Sequence, residues 1–243
     1  MACSRKPDRR CLLRPVATPR SQVRQNDVMS SHGHGGHGHE QDHGMSGFVR
    51  YMKMLPKMWR SPVSREVVRE ISPRPGELVV DVGAGMGPAT VLAAKTGASV
   101  LAVDPTNYMC RILSVRRLAQ RGRTAIRVAD GSAESIPADD HSVDAVWTVN
   151  TMHHWTDLDG AIHELGRVLR PGGRLVLVDE DFDAPTHPAF AHMQKRTAHR
   201  HRHFTQIDPA VVAAKLIAAG FVSADGSTDS IAARPVKVVR AAR

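Results

Sequence analysis

Three acidic residues stand where apolar runs give way to turns. Asp81 lies inside Leu78–Val82, Asp104 closes Val100–Val103, and Asp130 follows Val128-Ala129. Between the first two comes Gly83-Ala84-Gly85-Met86-Gly87, a bend too crowded for side chains. Glycine takes positive φ cheaply and leaves no Cβ between backbone and ligand. Asp104 follows Gly83 by twenty-one residues, the layout by which a doubly wound sheet holds a nucleoside. A carboxylate at a strand tip can accept both hydroxyls of a ribose, each charge-assisted bond contributing about 1.5–3 kcal/mol when shielded. Asp104-Pro105 also reads as a helix cap and first turn. Thr106 or Asn107 then lies beside the base. Asp130 is placed to accept from the exocyclic amine of adenine, with backbone N–H groups of Gly131, Ser132 and Ala133 meeting ring nitrogens and Ile136-Pro137 closing the loop. Its plainer reading is a solvated turn acid.

The glycine spacing narrows the ligand. A dinucleotide fingerprint is G-x-G-x-x-G, whereas this chain has G-x-G-x-G, and the Gly-Lys-Ser/Thr of a phosphate-binding P-loop is absent. A helix opening near Pro88 would still offer backbone N–H groups to a negative ligand group. The fourth apolar run ends Val146-Trp147-Thr148-Val149-Asn150-Thr151-Met152-His153-His154-Trp155. Its tip falls near the switch point of a doubly wound sheet. Thr148 and Asn150 are candidates to line a cofactor's polar tail. His153 or His154 is a candidate general base, because imidazole titrates near neutrality. The alternative is that one packs beneath the loop and the other faces solvent.

These groups need a scaffold. Strands are expected at 77–82, 99–104, 124–129, 143–149 and 173–180, and helices at 88–96, 106–121, 157–169 and 208–219. The first three strands lack polar alternation, as when helices cover both faces. Two closing strands near 221–226 and 235–240, joined by Asp229 to Arg234, have no helix between them and should run antiparallel at the sheet edge. Ser61-Pro62 opens a helix with Val63, Val67, Val68 and Ile71 facing inward. Before it, Phe48, Tyr51, Met52, Leu55, Met58 and Trp59 form a helical stripe broken at Pro56, read as core or as a cap over the substrate. The expected organisation is a disordered basic tail over 1–45 and a doubly wound α/β domain over 46–243, with a helical cap at 46–72 and an insertion at 183–206.

Composition excludes some classes. The chain has 243 residues, 42% hydrophobic content and a formal charge of +9. No run approaches eighteen apolar residues, so membrane insertion is not expected. Residues 1–30 hold Arg5, Lys6, Arg9, Arg10, Arg14, Arg20 and Arg24 against Asp8 and Asp27. Much of the positive excess therefore sits in the tail, which argues against specific nucleic-acid binding. Cys3, Cys11 and Cys110 make neither a disulfide framework nor a metal cluster, and the N-terminus lacks an apolar signal core, so a cytoplasmic location is expected. His32, His34, His37, His39 and His43 give the tail adventitious affinity for zinc, nickel or copper. His187, His192, His199, His201 and His203, with Lys195, Arg196, Arg200 and Arg202, read as a solvated basic lid, or else as one that helps recognise an acidic or phenolic substrate. No acid adjoins them and the arginines repel a cation, so no resident metal is assigned.

Taken together, V-V-D-V-G-A-G-M-G, L-A-V-D-P, V-A-D-G-S-A-E-S-I-P, S-V-D-A-V-W and E-L-G-R-V-L-R-P-G-G-R-L-V-L-V resemble the class I S-adenosylmethionine-dependent methyltransferases. The similarity is greatest to the small-molecule branch containing the ubiquinone and menaquinone C-methyltransferases, and it spans roughly 77–180. The resemblance implies a Rossmann-like, seven-stranded sheet of order 3-2-1-4-5-7-6. It also implies that Asp81 and the turn Gly83, Ala84, Gly85 and Gly87 hold the methionine moiety, that Asp104, Pro105 and Thr106 hold the ribose side, and that Asp130 holds the adenine. The expected partner is a small-molecule acceptor, with the protein a monomer or homodimer. Adenine-directed DNA methyltransferases carry an N-P-P-Y-like tetrad where this chain reads N-T-M-H. A nicotinamide-dependent oxidoreductase and an inactive cofactor-binding module are the competing readings.

Overall fold

The computed structural model describes residues 59–192 and 208–243. The helical stripe before Trp59, the tail histidines and the 199–203 histidine run lie outside the described residues. Seven strands, β1 (Leu78–Val82), β2 (Ser99–Asp104), β3 (Ile126–Asp130), β4 (Val143–Val149), β5 (Leu169–Glu180), β6 (Ser223–Ile231) and β7 (Arg234–Ala242), form one sheet of order β3-β2-β1-β4-β5-β7-β6. β1 to β5 pair in parallel, while β7 is antiparallel to both β5 and β6. This is the doubly wound α/β architecture expected from the sequence.

Among the described residues, five helices cover the sheet: α1 (Pro62–Ile71), α2 (Pro88–Ala94), α3 (Asn107–Leu118), α4 (Leu158–Val168) and α5 (Pro209–Ala218). Their starts follow local chemistry. The Ser61 side chain accepts from Ser64 N–H ahead of Pro62, and Asp208 accepts from Ala210 N–H ahead of Pro209, each satisfying an otherwise orphaned helix donor. Val63, Val67, Val68 and Ile71 of α1 are all buried. The strands present two cores. On one face Val80, Val82, Val146 and Leu177 meet Ile162 and Leu165 of α4 and Val212 and Leu216 of α5. On the other, Val79, Ala145, Trp147 and Val176 meet Val63 and Val67 of α1 and Ala89 of α2.

Three expectations change. β3 stands at the sheet edge, as the resemblance implied, but it is not covered on both faces, and Arg127 and Asp130 are exposed. β5 begins at Leu169, with a register irregularity where Val143 pairs with Leu169 and Ala145 with Arg174, so Pro171-Gly172-Gly173 is absorbed as a bulge. The link between the last two strands is shorter than Asp229 to Arg234. Ser230 and Ile231 pair with Pro235 and Arg234, leaving Ala232 and Ala233 at φ 52° and 58°. Two successive left-handed residues make the hairpin turn that matches strand twist. Alanine is an uncommon choice there, so no turn signal was readable.

Candidate cofactor and acceptor site

The parallel register assembles the rim. Asp104 lies directly opposite Asp130, and Asp81 opposite Ala102, two residues below the rim of β2. Asp104 and Asp130 are therefore brought together at the carboxyl ends of neighbouring strands, with the glycine turn next to them, where open α/β sheets bind ligands. Asp104 is 7% exposed. One oxygen accepts Gly85 N–H at 2.8 Å and the other accepts Thr106 N–H at 2.9 Å. A carboxylate has about four acceptor positions, so Asp104 holds the turn and still has capacity for two hydroxyls. Its cap-like role and its ligand role are compatible.

The turn is an open saddle for a ligand and makes no phosphate cradle. Gly83 N–H and Ala84 N–H both donate to Val103 C=O, Gly85 N–H donates to Asp104, and Gly87 N–H donates to Ala84 C=O. Four of the turn's donors are thus consumed internally. Gly85 has φ 53°, and a Cβ built there meets nothing within 4 Å. Gly83 is different: a Cβ there falls 2.2 Å from Thr151 Cγ2. That close approach seats the loop after β4 against the glycine turn.

Asp81 is turned inward and is 3% exposed. Its Oδ2 accepts the Thr90 hydroxyl at 2.5 Å. Burial pushes the carboxyl up to about 7; Thr90 opposes the rise and the charge of Asp104 adds to it. The Trp147 indole N–H, from the residue opposite on β4, also faces the carboxyl and opposes the rise, though it falls short of full hydrogen-bond geometry. Because the folded carboxyl titrates above its unfolded counterpart, its contribution to stability is complete below about pH 4 and is lost as the pH rises through 7. Asp81→Asn keeps an acceptor without the charge. The thermal midpoint of the ligand-free protein should fall between about pH 4 and pH 7 through this group, and the variant should fall less; equal slopes in scanning calorimetry would refute the assignment.

The loop after β3 is braced from α4, a feature the sequence reading missed. Glu164 accepts Ile136 N–H at 2.7 Å and pairs with Arg167 at 2.7 Å, while Arg167 donates to Ile136 C=O, Ala138 C=O and Asp140. Arg167 holds the Glu164 carboxyl below its ordinary range, against the pull of burial. Ala133 and Ile136 are thereby buried, and Gly131 and Ser132 sit half-buried beside exposed Asp130. The Glu-x-x-Arg spacing on one helix was the available signal. Glu164→Gln should cost about 1–3 kcal/mol in denaturant unfolding at neutral pH. The deficit should shrink as the pH drops through the Glu164 titration; a pH-independent deficit would count against the ion pair.

Beyond β4 the chain turns through Met152–His154 as one 3-10 turn. Asp179, 5% exposed on β5, caps it. Its oxygens accept N–H groups of Thr151 at 2.8 Å, Met152 at 3.3 Å and His153 at 3.0 Å, and His153 Nδ1 lies 2.8 Å from Oδ2. Paired this way, Nδ1 carries the proton and Nε2 is the basic nitrogen. His154 is exposed, its ring centroid 4.1 Å from that of His153. Thr148 is fully buried, opposite Val82, with its hydroxyl unpartnered. Asn150, at φ 60°, gives both amide functions to Glu180: Nδ2–H donates to Oε1, and Glu180 N–H donates to Oδ1. Glu180 is pressed upward by burial but held below its ordinary range by donors from Asn150, His187 and Arg234. The rim thus gathers Gly85, Asp104, Asp130 and the His153 turn. Thr148 lies beneath it, and Asn150 is committed to β5.

This fold defines a doubly wound α/β domain with an acidic rim at the strand tips. Residues 80–177 match the model of a methyltransferase domain. An uncharacterized methyltransferase of Mycobacterium bovis is 44% identical over 113 residues, covering 46% of this chain and 44% of that protein. A demethylmenaquinone methyltransferase of a Mycobacterium species is 36% identical over 139 residues, covering 57% and 54%. The chain thus spans about half the length of the curated relatives it matches. A SAM-dependent methyltransferase structure from Aquifex aeolicus superposes with a TM-score of 0.58 at 20% identity, over 79% of this chain and 96% of that one, and so shares the fold. The match over residues 80–177 and the shared fold make S-adenosylmethionine the group to test against this site. The residues fit that group. The space above Gly85 admits it, and a turn with four of its amides consumed suits a cationic amino acid moiety better than a pyrophosphate. No helix among the described residues is long and apolar enough to cross a membrane.

Proposed function

We propose that this chain methylates a small-molecule acceptor, with His153 as general base and Asp179 as its positioning residue. The observation that carries the reading is the Asp179 clamp, which sets the His153 turn against the glycine turn. Bound S-adenosylmethionine supplies a methyl group already activated by the sulfonium charge for SN2 transfer. The side chains divide the remaining work. Asp104 receives the ribose hydroxyls, and Pro105 and Thr106 flank that contact. Asp130 receives the adenine amine beside Gly131, Ser132 and Ala133. Gly83, Ala84, Gly85 and Gly87 shape the space for the methionine moiety, with buried Asp81 beneath it to answer its amino group. Thr148 and Asn150 act from behind, through packing and through β5. His153 Nε2 takes the acceptor's proton as the new bond forms, and alignment with exclusion of water contributes the rest. His154 is the second candidate for the proton.

A small-molecule acceptor is supported by the demethylmenaquinone methyltransferase relative, as its name states, and by N-T-M-H in place of the tetrad of adenine-directed DNA enzymes. Isothermal titration with S-adenosylmethionine and with NAD separates this reading from an oxidoreductase: tight binding of the first and none of the second is expected. A chain that binds the cofactor but fails turnover across phenolic, carboxylic and quinol-type acceptors would instead be a binding module. A cytoplasmic location, in keeping with the sparse cysteines, belongs to the same proposal.

A further inference from the structure

We propose that the outer face of α3, with the arginine-rich turn after it, docks on an anionic lipid bilayer. From Pro105 to Ala129 the chain has Arg111, Arg116, Arg117, Arg121, Arg123 and Arg127 and not one Asp, Glu or Lys. Leu113 alone on α3 is buried. The opposite face carries Arg111, Val115 and Leu118 at helical spacing, with Val115 71% and Leu118 60% exposed. Three of the arginines are occupied in the fold. Arg116 donates to Met86 C=O and stacks 5.1 Å from the Trp59 ring, Arg117 donates to Ile126 C=O, and Arg127 donates to Pro137 C=O. Arg111, Arg121 and Arg123 remain exposed around the aliphatic pair.

Charge and apolarity together select the occupant. An isolated aliphatic pair ringed by guanidinium groups matches a membrane interface, where methyl groups enter the acyl boundary and arginines meet lipid phosphates. A nucleic acid would use the arginines and leave Val115 and Leu118 without a partner. A second copy packed face to face would set one acid-free arginine cluster against another. The surface is separate from the rim residues, so the proposal does not depend on the acceptor.

Flotation of the full chain with vesicles of phosphatidylcholine and phosphatidylglycerol in equal parts, against phosphatidylcholine alone, tests it. The wild type should bind the mixed vesicles preferentially. Val115→Ser with Leu118→Ser should weaken that binding by about tenfold or more, and Arg111→Ser with Arg121→Ser and Arg123→Ser should remove the preference for the anionic lipid. Retained S-adenosylmethionine affinity reports that each variant is folded. Hydrogen exchange of the wild type needs no variant: residues 107–121 should gain protection on adding mixed vesicles. Absence of that protection, or undiminished binding by the Val115/Leu118 variant, overturns the proposal. So does binding of a duplex RNA but not of vesicles, or a dimer that the aliphatic substitutions dissolve.

Discussion

Asp104→Ala should weaken S-adenosylmethionine binding more than tenfold by calorimetry. Its carboxylate is nine-tenths buried at the rim and can accept two ribose hydroxyls beyond the Gly85 and Thr106 N–H groups it already holds. One shielded, charge-assisted bond is worth about 1.5–3 kcal/mol, and about 1.4 kcal/mol corresponds to a factor of ten. Losing one ribose bond already exceeds the threshold. The variant also releases Gly85, so part of the loss comes from a loosened turn. Asp104→Asn separates the two effects: it keeps an acceptor for a backbone N–H but lacks the charge, and should fall between wild type and alanine. Unchanged affinity in the alanine variant would remove Asp104 from the cofactor site.

Removing the base should act on a different quantity. His153→Ala should lower kcat by about 10²–10⁴ once an acceptor is known, with S-adenosylmethionine affinity nearly unchanged, because the proposed role puts the ring on the acceptor side of the rim. Asp179→Asn should also reduce kcat. It keeps one side-chain oxygen for the backbone N–H groups but weakens the hold on Nδ1–H. A purely structural Asp179 would lower stability without altering the pH dependence of turnover. A positioning Asp179 changes that profile, and in a His153→Ala background its further effect on kcat should be small, because residues acting as one unit are not additive. Full methyl transfer by His153→Ala would shift attention to His154 or to an acceptor that arrives deprotonated.

Much of the scaffold could be read locally. β2 and β4 match their expected ranges, and the starts of α1 and α5 follow from Ser61-Pro62 and Asp208-Pro209. These features depend on neighbours within a few residues, which is the range over which propensity and capping act. The hairpin at Ala232-Ala233 escaped because left-handed alanine has no compositional mark. The half-exposed β3 escaped because an apolar run looks the same whether one face or both are covered; its edge position came only from the family resemblance.

The site divides along the same line. The amino-acid sequence by itself determined the side-chain-poor bend, the carboxylates at successive strand ends and the paired histidines after β4, since each is written in a contiguous stretch. Only the tertiary structure decided which acid meets which histidine. Asp179 and His153 are far apart in the chain, and β4 and β5 bring them together through a crossover helix. The same packing turned Asp81 into the interior against Thr90 and spent Asn150 on Glu180. A hydrogen bond between strands depends on register and order across the sheet, and no short segment carries that information.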